Sequence, residues 1–178
     1  MMNRMLKSKK AQFFIFTALI LIGFSTLMLQ SNNVVPSPSK TFGVVYDNFV
    51  FESNKAVNNA VFEGKDVGEE YGRFLTRFIG YAKMKKLQLE IFAVVAQGDR
   101  IYYMNRMEVP VDIFTIDQTI APGTGTYFAR NTTELTIKVP DDVFHENIYK
   151  LTFPEQETEV KAVLRVRKGS DREIFVKE

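Results

Sequence analysis

Three hydrophobic patterns divide the chain. Residues 13–29 read FFIFTALILIGFSTLML, an apolar run without a charge. Residues 41–86 carry apolar side chains at helical spacing, and from Leu87 onward the period falls to two. At about 1.5 Å of rise per residue the first run makes a helix of roughly 26 Å, a little short of a hydrocarbon core of about 30 Å. Only Thr17, Ser25 and Thr26 interrupt it, so it lacks the polar face of a soluble helix. The expectation is a single membrane-spanning helix, with residues 1–12 as a basic tail. Residues 30–40, QSNNVVPSPSK, follow as a linker, where Pro36 and Pro38 favour extended backbone.

In residues 41–86, Phe42, Tyr46, Phe49, Val50, Ser53, Val57, Ala60 and Val61 recur on one helical stripe. Tyr71, Leu75, Phe78, Ile79 and Ala82 continue it. Gly64 and Gly68 interrupt the run. Asp66 stands three residues before Glu69 in a capping-box pattern, and Glu69 and Arg73 have i,i+4 spacing. The segment therefore reads as one long helix weakened at residues 64–68, or as two helices in sequence. Its stripe reads as core-facing.

Residues 87–178 read as β-rich. LQLEIFAVV, the turn Gln97-Gly98-Asp99-Arg100 and the return IYYMN make a hairpin signature. Further strands are expected over 109–116, 135–139, 148–153, 159–167 and 172–176. Residues 120–126, IAPGTGT, read as a mobile loop. The fold class expected is α+β: an N-terminal transmembrane helix, an amphipathic helical segment, then an antiparallel β-sheet or small β-sandwich.

Charge orients this plan. Arg4, Lys7, Lys9 and Lys10 precede the apolar run, and residues 1–29 hold no acid. Removing those four cations from the chain's 23 leaves 19 basic against 21 acidic residues, a net charge of −2 for residues 30–178. The positive-inside bias puts the tail in the cytoplasm and the C-terminal domain outside the cell membrane. A domain that is not basic argues against a nucleic-acid partner. The chain has no cysteine, so an exterior domain must rest on packing, for which 16 Phe and 7 Tyr provide.

Lys9-Lys10-Ala11-Gln12-Phe13, directly ahead of the apolar run, resembles the class III signal peptide of archaeal type IV pilin-like proteins. The resemblance covers about the first 30 residues and implies cleavage between Ala11 and Gln12. Two features depart from the pattern. Phe16 stands fifth after the implied cut, where many pilins have Glu, and Pro36 and Pro38 interrupt a helix that pilins often continue. The other reading of the same residues is an uncleaved anchor with a basic flank.

Candidate chemistry is sparse. Asn131-Thr132-Thr133 is an N-glycosylation acceptor in an expected exterior loop. The single histidine, His145, has Asp141, Asp142 and Glu146 nearby, but the spacing fits a polar connection better than a metal site. One histidine and no cysteine remove the commonest nucleophile–base pairs, and no carboxylate pair stands out. The IAPGTGT loop lacks the Lys and following helix of a phosphate cradle. Neither catalysis, cofactor nor metal is expected. The residues favour a pilin-like or envelope subunit that associates with its own copies as a homo-oligomer, or with other pilin-like subunits, at the membrane. The alternative is a permanently anchored single-pass surface module with a ligand of its own.

Overall fold

A computed structural model describes residues 38–140, 146–155 and 157–178. The tail and anchor expected over residues 1–29, Ala11 and Gln12 included, lie outside them. Among the described residues no helix is long and apolar enough to cross a membrane.

The helical segment is two helices, α1 (Pro38–Phe62) and α2 (Val67–Met84). α1 begins inside the expected linker, with Pro38 at its first position, where a missing N–H costs nothing. The break falls at the weak point: Gly64 takes φ +64°, and Asp66 caps α2 by accepting the Glu69 N–H at 2.7 Å. The Glu69 carboxylate does not close the box; it takes Arg73 at 2.5 Å. α2 ends with Lys86 at φ +59° and the Leu87 N–H returning to the Ala82 carbonyl, which satisfies the last turn.

Nine strands follow among the described residues: β1 (Gln88–Gln97), β2 (Arg100–Arg106), β3 (Val111–Ile113), β4 (Gln118–Ile120), β5 (Gly125–Ala129), β6 (Glu134–Pro140), β7 (Glu146–Thr152), β8 (Glu159–Lys168) and β9 (Asp171–Lys177). They form two antiparallel sheets, ordered β5-β2-β1-β8-β9 and β4-β3-β6-β7. The strand expected over 109–116 is shorter: β3 gives way to a 3-10 turn at Phe114–Ile116, and Asp117 turns the chain at φ +50° into β4. β5 was not expected at all. Gly98 and Gly169 open the two-residue turns β1–β2 and β8–β9 with φ +55° and +61°, the conformation such tight turns require of their first residue.

The helices cover one face of the five-stranded sheet and the four-stranded sheet covers the other. Leu89, Ile91, Ala93 and Val95 of β1 meet Phe49, Tyr71, Leu75 and Phe78 of the helices. Phe92, Val94 and Ala96 of the same strand meet Ile113, Leu135 and Ile137 of the second sheet. A strand covered on both faces must be apolar on both, which is why β1 loses its alternation.

β8 reaches the same position differently. Val160, Ala162, Leu164 and Val166 pack under the helices, while Lys161 and Arg165 turn toward the second sheet and are buried there. The alternation of EVKAVLRVR therefore does not mark a solvent face. Arg165 lies across from Glu90 in the β1–β8 register and donates to it at 2.9 Å. It also donates to the Pro140 carbonyl at the end of β6 at 2.5 Å. The diagonal neighbour Arg167 approaches the other Glu90 oxygen at 3.7 Å. One buried carboxylate thus ties the central strand pair, and its arginine ties that pair to the second sheet.

Two predictions follow from these buried groups. Arg165→Met strands the Glu90 carboxylate and lowers stability by about 3–5 kcal/mol in urea denaturation, while Glu90→Leu with Arg165→Met recovers most of the loss. The second concerns alkaline pH. Burial pushes the hydroxyl of Tyr103 up to about 12 from its ordinary 10, and pushes that of Tyr71, bonded to Ser53 at 2.8 Å, higher still. The unfolded chain then releases these protons before the folded one, so stability is complete below pH 10 and falls as pH rises from about 10 toward 12. Tyr103→Phe flattens part of that fall, read as unfolding midpoint against pH.

Candidate association surfaces

The helical layer ends before the sheet does. α1 lies on β8 and β9, α2 on β1 and β2, and β5 is left beyond them. At this margin α2 presents Gly68, Gly72 and Thr76, spaced four apart and so on one face. A Cβ at Gly68 would sit 2.3 Å from the Tyr102 ring, so glycine is what lets the first turn of α2 rest on that side chain. A groove of about 580 Å³ opens between this wall of α2 and a floor that includes Tyr102, Met104, Arg106 and Tyr127. The Tyr102 and Tyr127 rings lie side by side, centroids 5.8 Å apart, and the Arg100 guanidinium stands 5.4 Å from the Tyr127 ring.

The segment read as a mobile loop is instead anchored. Asn105, fully buried, donates from Nδ2 to the carbonyls of Ile120 at 2.8 Å and Val109 at 2.9 Å, and accepts the Met107 N–H at 2.8 Å. Arg106 donates to the Gly123 carbonyl at 2.7 Å. Ile120 belongs to β4 and Gly125-Thr126 to β5, leaving only residues 121–124 as a turn.

The register of β5 decides what its free side offers. The Asn105 N–H donates to Thr124 O at 2.9 Å, and the Arg130 N–H donates to Asp99 O at 2.7 Å. In an antiparallel ladder, bonded positions alternate with unbonded ones. Between those two bonds, Thr126 and Phe128 point their backbone groups at β2. Gly125, Tyr127 and Ala129 point theirs away from the sheet, where the strand is exposed.

A second surface lies on α1. Phe42, Phe49, Ser53, Val57 and Ala60 are buried, yet Val44, Phe51 and Phe62 are exposed, at 57%, 68% and 92%. At about 100° per residue, positions 44, 51 and 62 fall within roughly 20° of one another, on the side opposite the core. α1 thus carries an outer apolar stripe behind its inner one.

Of the residues singled out in the sequence, Asn131 is exposed between β5 and β6, and Thr133, which completes its acceptor motif, is exposed too. Asp141, Asp142 and His145 lie outside the described residues, as does the side chain of Glu146. Among the described residues no three His, Cys, Asp or Glu side chains converge to hold a metal ion. Comparison with known proteins returns no match: no family model, no curated protein and no solved structure corresponds to the chain.

Gly68→Ala should lower the thermal midpoint, at a cost of about 1–3 kcal/mol, because Tyr102 is packed and its ring must move to admit the methyl. Gly64→Ala should also be destabilising, through its φ of +64° rather than through contact, so in a Tyr102→Ala background, itself destabilised by the lost ring, Gly68→Ala adds little further cost while Gly64→Ala keeps its full cost.

Proposed function

We propose that this chain is a membrane-anchored, extracytoplasmic subunit of pilin-like type that acts by associating with other protein chains. Its N-terminal signal supplies the anchor: the uncharged run at residues 13–29 behind Lys7, Lys9 and Lys10, with Ala11 and Gln12 at the implied processing point. The observation that carries the reading is the outer stripe of α1. A helix that already buries one face has no internal use for Val44, Phe51 and Phe62, and aligned apolar side chains on an exposed face are what a contact with another chain consumes. α1 is also the first described element after the anchor, so neighbouring anchors would bring neighbouring copies of α1 together. Exposed Asn131 supplies a glycan acceptor for an exterior face. The reading involves no catalytic step, metal or cofactor.

The groove beside Tyr102 and Tyr127 favours a second reading, a permanently anchored surface module that holds a ligand there. The two part at the N-terminus. Protein purified from its native membrane should begin at Gln12, and Phe51→Asp should shift it from multi-chain species toward single chains without unfolding it. A chain that begins at Met1 or Met2 and is monomeric in its membrane would support the module and remove the subunit.

A further inference from the structure

We infer that β5 is a self-pairing edge: two copies of this chain join through their β5 strands, antiparallel about Tyr127, into one continuous ten-stranded sheet. This rests on the association reading above and gives it a specific contact.

The two sheets expose four edges, and three are guarded. β9 offers outward carbonyls, but α1 covers that margin and the Tyr46 hydroxyl donates to the Val176 carbonyl at 2.8 Å. β4 is three residues long. On β7 the Phe153 N–H bonds Thr133 O, so the outward positions are the alternate ones, Ile148, Lys150 and Thr152, and Lys150 puts a charge among them. Short strands, covering elements and edge lysines are the ordinary ways a protein prevents strands of separate molecules from pairing. β5, GTYFA, has none of them: no charge, no proline, five residues of regular pairing to β2 and an exposed outer side.

The sequence of β5 fits a second copy of itself. In a two-fold antiparallel pair centred on Tyr127, each residue faces one whose number makes the same sum, so Gly125 faces Ala129 of the other copy and Tyr127 faces its own equivalent. All three outward residues of each strand then find bonded partners, about six hydrogen bonds in all. Any charged residue at the centre of such a pair would face its own charge; an uncharged strand is what a self-pairing edge requires. Gly125 and Ala129 are small and leave lateral space for the two central rings. Tyr127 lies on the helix-facing side beside Tyr102, so the joined sheet carries a row of four tyrosines between the two grooves. The closed two-fold leaves no further β5 edge, so this contact makes pairs and not filaments.

The chain has no cysteine, which makes the test direct. Tyr127→Cys in the full chain, oxidised mildly in its membrane, sets two sulfurs on residues about 5.5 Å apart between Cα atoms, inside the range a disulfide spans. It should give about ten-fold more covalent dimer than Ile148→Cys, an equally exposed site on the guarded β7 edge. Tyr127→Lys, which faces like charges across the two-fold and leaves the ladder to β2 intact, should abolish the pair with little shift in the unfolding midpoint. Equal cross-linking at 127 and 148, or a pair that survives Tyr127→Lys, overturns the inference. Association lost on Phe51→Asp but indifferent to position 127 overturns the edge contact and leaves the subunit reading standing. A chain that is single in every form removes both.

Discussion

The rest of the structure depends on one constraint: β1 and β8 pair side by side, and both must be covered on both faces. A strand pair this apolar cannot form the outside of a two-layer domain. It needs the α1–α2 hairpin over Leu89, Ile91 and Ala93, and it needs the second sheet over Phe92, Val94 and Val163. Non-directional burial would tolerate a slip of β8 along β1. The Glu90–Arg165 pair does not: a shift of two residues one way sets Val163 opposite the buried carboxylate, and a shift of two the other way sets Arg167 there but carries Arg165 away from the Pro140 carbonyl. Because Arg165 also holds the end of β6, the same pair sets where the second sheet sits on the first.

Much of this was legible from periodicity. The helix break, expected at residues 64–68 and found at 63–66, the Asp66 cap, the β1–β2 hairpin and the α-then-β order all follow from local rules that tertiary structure had no reason to override. What sequence patterns missed has a common cause. Alternation reports which residues differ, not which face is wet: in EVKAVLRVR it places Lys161 and Arg165 on one side of the strand, and nothing local says that this side lies between sheets. The loop at 120–126 looked mobile because its composition is that of a turn, yet Asn105 and Arg106, 15 to 18 residues earlier, fix it. β5 is exposed on nearly every residue, so it has no apolar periodicity to reveal it; the cluster Thr126-Tyr127-Phe128 is the signal it carries. The candidate surfaces were the least legible part. A stripe such as Val44, Phe51 and Phe62 differs from a core stripe only in that the core is already full.

Both surfaces stand out against protection elsewhere. The helical layer, the brevity of β4 and the charge on β7 leave little for another chain to bind, and the sides where these devices fail are the outer face of α1 and the margin at β5. They differ in chemistry. α1 offers side chains and would accept many partners of similar shape. β5 offers backbone groups in a set register, which favours a strand of matching length and direction.

The pairing of β1 with β8 also has a consequence for how the domain is made. Glu90 and Arg165 are 75 residues apart. At about 5–20 residues per second, β1 waits several seconds after synthesis for the strand that will lie beside it. During that interval α1, α2 and β2 are already present and can shelter one face of β1 and one of its edges. The face destined for β3 and β6 and the edge destined for β8 stay open. Newborn chains are then most adhesive in mid-synthesis, and the order of elements, helices first and the β1–β2 hairpin directly after, shortens that exposure to the half of β1 that nothing earlier in the chain can cover.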